Sequence, residues 1–134
     1  MLTRRAFALC ALCAAGGFLA TETQAQTAAT PGFKRTLIKQ TEGPMDGYVT
    51  VEARVDIEPG ALVPRHTQPG IESGYAVEGA IELSVDGEGT RTLAPGDGFQ
   101  VPTGVPHSGK NGPAKTVIVA TYVVEKGKPL ASPA

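Results

Sequence analysis

The 134-residue sequence has no tryptophan and only two cysteines, Cys10 and Cys13, both in its opening segment. Beyond Ala25 the chain is free of cysteine, so no disulfide can brace it, and a packed core or a bound metal must hold it instead. The Cys10–Cys13 pair has redox spacing but sits in an apolar leader with no scaffold for redox chemistry. Charge is also unbiased, with 12 basic and 13 acidic residues. Neither sign clusters past the leader, which leaves no charge basis for a nucleic-acid or anionic-membrane partner. Long hydrophobic runs are missing too: the stretch from Ala6 to Ala20 is short for a membrane span and is broken by Gly16 and Gly17. Between residues 33 and 124 no helical periodicity is long enough to define a helix.

What the opening segment does contain is the layout of an export signal. Arg4 and Arg5 precede an apolar stretch with Phe7, Leu9, Leu12, Phe18 and Leu19, and Thr23-Gln24-Ala25 closes it with a small residue at the cleavage position. Thr3-Arg4-Arg5-Ala6-Phe7 is similar to a twin-arginine signal, which implies passage of an already folded protein with its cofactor loaded. Residues 1–25 are therefore expected to be removed, leaving a periplasmic or secreted protein with no membrane attachment. Residues 26–32 read as a flexible arm, and residues 125–134, with Lys, Gly and Pro, as a tail or an edge cover.

Residues 33–124 read as short strands punctuated by Gly and Pro. Val49, Val51, Ala53, Val55 and Ile57 alternate with Thr50, Glu52, Arg54 and Asp56, the pattern of a half-buried strand. Ile81, Leu83 and Val85 alternate in the same way, and Asp86-Gly87-Glu88-Gly89 turns that strand back on Thr90–Leu93. Phe99–Val101 leads into a loop from Pro102 to Pro106. The stretch from Thr116 to Val124 is apolar on both faces, which predicts a central strand. Many short strands at near-regular spacing point to an all-β fold, with a single small jelly-roll β-barrel first.

Only two histidines are present, His66 and His107. The first stands in Gly60-x5-His66-x-Gln68-x3-Glu72-x6-Gly79, the second in Gly96-x5-Pro102-x-Gly104-x2-His107-x3-Asn111. These blocks resemble the two motifs of the cupin superfamily at every spacing, over about half of the chain that remains after the leader. One position departs from the pattern, because Gln68 stands where the first motif has its second histidine. The resemblance implies a barrel holding one divalent metal with His66, Glu72 and His107, with His107 on a strand neighbouring His66. Residues i and i+2 of an extended segment share a face, so His66 and Gln68 would project together. Two imidazoles and a carboxylate suit Fe, Mn, Ni or Zn.

Gln68 admits three readings: a fourth and weaker ligand, a hydrogen-bond partner of a metal-bound water or substrate, or the mark of a lost metal. Cupin phosphomannose isomerases carry a related Gln, His, Glu, His set, with Gln and His in the opposite order. Asn111 reads as a turn hydrogen-bonder. Tyr75 and Tyr122 are candidate pocket or core aromatics, with core favoured, and Arg65 is expected on the face opposite His66.

The superfamily hosts many reactions, so the resemblance speaks to fold more than to chemistry. It implies a metal-dependent enzyme for a small organic molecule, with dioxygenase chemistry first and isomerase or lyase chemistry next. Glu72 is the candidate proton acceptor. The alternative is a non-catalytic periplasmic protein that binds a small molecule or a metal. Small cupins often pair through barrel edges, which implies a possible homodimer.

Overall fold

The alternation in Tyr48–Ile57 and the apolar run in Thr116–Val124 form adjacent antiparallel strands, paired residue for residue from Tyr48↔Glu125 to Ile57↔Thr116. The computed structural model describes residues 30–134, so the expected leader and most of the expected arm lie outside the described residues. Ten strands follow in order: β1 (Phe33–Glu42), β2 (Tyr48–Ile57), β3 (Leu62–Thr67), β4 (Gly70–Glu78), β5 (Ile81–Val85), β6 (Gly89–Leu93), β7 (Gly98–Val101), β8 (His107–Asn111), β9 (Thr116–Glu125) and β10 (Ser132–Pro133). They build two five-stranded antiparallel sheets, ordered β1-β2-β9-β4-β7 and β10-β3-β8-β5-β6. This is the small all-β jelly roll that the strand spacing predicts. β9 is central in its sheet, as its apolar character on both faces requires.

The inner faces of both sheets supply the core. Ile57, Leu93, Val101 and Tyr122 are almost wholly buried, and each full burial of a large apolar side chain contributes about 1.5–3 kcal/mol. Gly74 lies opposite Phe99 across β4 and β7. A Cβ at Gly74 would stand 2.2 Å from the Phe99 ring, so the missing side chain gives that ring its place in the core.

β1 has no individual signature in the sequence, and the structure shows why. Leu37 and Ile38 are about half exposed, a register shift interrupts the pairing between Leu37 and Lys39, and only Phe33 and Arg35 are partly buried. An edge strand with so short an inward stripe cannot display a period of two.

Both ends of the described segment are tied down. Glu58 N–H donates to the Gly32 carbonyl at 2.8 Å. Ser132 and Pro133 pair with Thr67 and His66, so β10 covers the edge of β3.

Asn111 is buried and ties three segments together. Its amide nitrogen donates to the carbonyls of Ile57 (3.0 Å), Glu58 (2.8 Å) and Ala114 (3.0 Å), and its Oδ1 accepts from Thr116 Oγ1 at 2.6 Å. The turn role read from the sequence is thus a clamp between the ends of β2, β8 and β9. Asn111→Ala would orphan the Thr116 hydroxyl and the buried Ile57 carbonyl, each at about 1–3 kcal/mol. A loss of about 2–4 kcal/mol in urea unfolding, with unchanged m-value, is the expected result.

Tyr75 corrects an expectation. It is 54% exposed on the outer face of β4 and lines neither core nor pocket. Its register partner is Val119, on the face of β9 turned away from the interior. Tyr122, by contrast, is 1% exposed and belongs to both core and cavity wall.

Candidate metal centre

The strand register places the two histidines face to face. His66 on β3 is the direct partner of His107 on β8, and Val85 flanks His107 on its other side. Counting by twos from the inward Val63 would turn Arg65 into the barrel and His66 out. The structure resolves this with a bulge between Val63 and His66, at which Pro64 cannot donate to the ladder. Arg65 accordingly points outward, where it grips Asp86 with two hydrogen bonds of 2.7 and 2.5 Å. Glu72 comes from the opposite sheet, on β4, so the cluster bridges both layers of the barrel.

One ligand atom from each of His66, Glu72 and His107 lies within 4.8 Å of the others, a group that could hold a metal ion. Each imidazole is oriented through its Nδ1, at 2.7 Å from the Pro64 carbonyl for His66 and 3.0 Å from the Val105 carbonyl for His107. Backbone carbonyls in this role fix the ring and leave Nε2 to face a ligand. His107 Nε2 stands 3.1 Å from Glu72 Oε2. The three side chains line a cavity of about 50 Å³ whose walls include Val55, Ile57, Leu83, Leu93 and Ile118.

A profile of the cupin domain matches residues 53–125, more than half of the chain. The chain belongs to the cupin family. This cupin superposes on the DMSP lyase DddQ of Ruegeria pomeroyi DSS-3 with a TM-score of 0.66 at 21% identity, over 76% of this chain and 51% of that one. An RmlC-like cupin from Shewanella frigidimarina NCIMB 400 gives 0.59 at 24% identity, over 72% and 79% of the two chains. KdgF from Halomonas sp. gives 0.57 at 28% identity, over 72% and 84%. The cupin spans about half the length of the lyase. No curated protein matches its sequence.

The donor set of this cupin fits a divalent cation. Burial holds the His66 imidazole below its ordinary value against the pull of the Pro64 carbonyl, so it is neutral and able to ligate. Burial pushes Glu72 up, but the His107 hydrogen bond and charge, the nearby Gln68 amide and Arg35 outweigh it and keep the carboxylate ionised. Burial pushes His107 down, and its bonds to Glu72 and Val105 prevail and raise it. Without metal, then, His107 carries a proton on each nitrogen and forms an ion pair with Glu72.

Gln68 adds a second sign of fit. It is 3% exposed and lies close enough to help hold Glu72 ionised, but neither its Oε1 nor its Nε2 completes a hydrogen bond of good geometry. Such a buried orphan costs about 1–3 kcal/mol, a cost that a cation or its bound water would relieve.

Metal uptake must displace the His107 Nε2 proton, whereas Glu72 and His66 have none to release. Affinity should therefore rise about tenfold per pH unit and level off above the raised His107 value. The metal-free barrel behaves oppositely. A raised histidine contributes stability that is complete below its unfolded value and is lost as pH rises through its folded value. The Tm gap between metal-loaded and chelated protein should widen as pH rises and level off only above the ordinary histidine value, where the raised His107 loses its proton.

Two parts of this site are absent from the motifs. Arg35 and Tyr122 both line the cavity, and Arg35 Nε donates to Tyr122 Oη at 3.3 Å. Burial, reinforced by the Glu72 charge, pushes the Tyr122 phenol well up and keeps it protonated.

Proposed function

We propose that this protein is an exported metal-dependent cupin enzyme acting on a small organic molecule, with dioxygenase chemistry first and isomerase or lyase chemistry next. The observation that carries the reading is the convergence of His66, Glu72 and His107 in one cavity with mostly apolar walls, each imidazole oriented by a backbone carbonyl. A divalent ion held there would supply Lewis-acid or redox chemistry. His66, Glu72 and His107 would be its ligands, with Gln68 the fourth or in contact with its water. Three protein donors leave coordination positions open for a substrate oxygen.

The surrounding residues define the rest of the chemistry. The apolar walls exclude bulk water and strengthen every charge interaction inside. Glu72, held ionised, is the proton acceptor when it turns from ligation to the substrate. Tyr122 keeps its phenolic proton available to a substrate oxygen.

Anaerobic purification followed by metal quantification tests the site, and about one divalent ion per chain is expected. Oxygen uptake with catechols and enols then tests the reaction class. Metal and ligand bound without turnover would mark the protein as a periplasmic binder instead. Export rests on Arg4-Arg5 and the apolar stretch that follows. Osmotic-shock fractionation should recover the mature chain outside the cytoplasm, and Arg4→Lys with Arg5→Lys should retain it inside.

A further inference from the structure

We infer that Arg35 is the anion-recognising residue of the pocket and that the ligand is a small carboxylate. This inference rests on reading the cavity as a ligand site. It does not depend on the metal.

Arg35 differs from the other arginines among the described residues. Arg54 is paired with Asp56 and Arg65 with Asp86, both at the surface, and Arg91 donates to the Gly98 carbonyl. Arg35 turns inward from β1, and the ion pairs of the described residues engage other groups. Its recorded hydrogen bond is the one from Nε to Tyr122 Oη, and a guanidinium carries five N–H donors in a planar fork. The fork keeps further N–H donors beyond that bond, and Arg35 lines the cavity.

The fork is also held in place before any ligand arrives. Its central carbon lies 5.2 Å from the centroid of the Phe33 ring and 5.2 Å from that of Tyr122, so it is clasped between two aromatic faces. Arg35 is opposite Val55 on β2, while Tyr122 is opposite Val51. The small Ala53 between them on the inner face leaves room for the guanidinium to reach across. A clasped arginine loses little rotamer freedom on binding, and a planar fork matches a carboxylate with two parallel hydrogen bonds.

The charge balance points the same way. Glu72 supplies one negative charge, which pairs with His107 or with a metal. Arg35 then has no anion of its own in a cavity with mostly apolar walls. A carboxylate ligand offsets the positive charge that Arg35 leaves over, fully beside the His107–Glu72 pair and in part beside a divalent ion, and a neutral ligand does not. The pocket is open on one side, and its space of about 50 Å³ takes about three to five water-sized groups, so the part of the ligand held inside is a short acid.

The test is calorimetric titration of glycolate and malonate, with ethylene glycol as the uncharged counterpart of glycolate. It is run on the protein as purified, on chelator-treated protein, and on Arg35→Gln and Arg35→Lys. Wild type should bind at least one acid, and glycolate should be preferred over the diol by about tenfold or more, the worth of hydrogen bonds to a charged group. Arg35→Gln should abolish that preference while metal content stays at the wild-type level. Arg35→Lys keeps the charge without the fork and should retain part of the preference, which also keeps the test open if Arg35→Gln unfolds. Equal acid binding by wild type and both variants, or no acid binding by wild type, overturns the inference. Arg35-dependent binding by a chain that never holds metal would sustain it and overturn the metal reading. Metal-dependent binding indifferent to Arg35 would do the reverse.

Discussion

Glu72→Ala and His107→Ala each leave the purified protein without its metal, by an expected loss in affinity of about 100-fold or more. Removing a residue that merely orients a ligand already costs about 10–100-fold, and these two are the proposed ligands themselves. Of the three proposed ligands, Glu72 alone comes from the sheet opposite the histidines. Without it His66 and His107 remain as a pair on neighbouring strands, with a ring separation of 4.1 Å, and the cation loses its anionic partner. Replacing His107 instead strands Glu72 as a buried carboxylate 7% exposed. That variant should therefore lose stability as well as metal, since breaking a buried pair costs about 3–5 kcal/mol. Metal content by mass spectrometry and Tm by calorimetry separate the two effects. Metal retained at wild-type level in both variants would remove the site from consideration. Gln68→Ala is the graded companion, with metal weakened and the fold unharmed, because the substitution deletes an amide that completes no hydrogen bond of good geometry in the metal-free protein.

Gly79→Val is expected to be strongly damaging although it lies outside the cavity. Gly79 has φ of 75°, and a Cβ built on it would stand 2.3 Å from the Lys115 carbonyl oxygen and 2.7 Å from the Thr116 Cα. Both obstacles are backbone, at the start of β9, and cannot swing away. Left-handed backbone in a β-branched residue costs about 1–3 kcal/mol, and overpacking a close contact costs about 1–3 kcal/mol more. For a domain whose net stability is about 5–15 kcal/mol, a drop in Tm of more than about 10 °C follows. Gly104→Ala is the control. Gly104 also has positive φ, 71°, but nothing lies within 4 Å of its Cβ position, so only the backbone penalty remains. Equal losses at the two positions would show that the Lys115 contact is not what makes Gly79 sensitive.

The fold was legible because its strands carry their period openly. β2 and β5 alternate cleanly, β9 is apolar on both faces, and the turns are spelled in Gly, Pro and Asp. The spacing of the two motifs anticipated the meeting of His66, Glu72 and His107. The bulge in β3 was not legible, because an extra residue leaves no mark in composition, and simple alternation from Val63 sends His66 the wrong way. Arg35 escaped for a related reason. β1 has only two partly buried residues, so nothing in Phe33–Glu42 distinguishes an arginine that faces a cavity from one that faces water. Tyr75 misled in the opposite direction, since an aromatic in a small barrel is expected inside, yet β4 turns it outward. In each case the sequence encodes the strand, while pairing with neighbours decides which face counts as the interior.

The pairing of Pro133 with His66 has a practical side for every metal measurement proposed above. Ala134 N–H donates to the Arg65 carbonyl, so anything appended after Ala134 emerges beside β3, the strand that carries His66. An oligohistidine tag fused there would meet the site at an effective concentration on the order of millimolar, and its imidazoles would compete with His66 and His107 for the same ion. Metal stoichiometry taken on such a fusion would report the tag as much as the barrel.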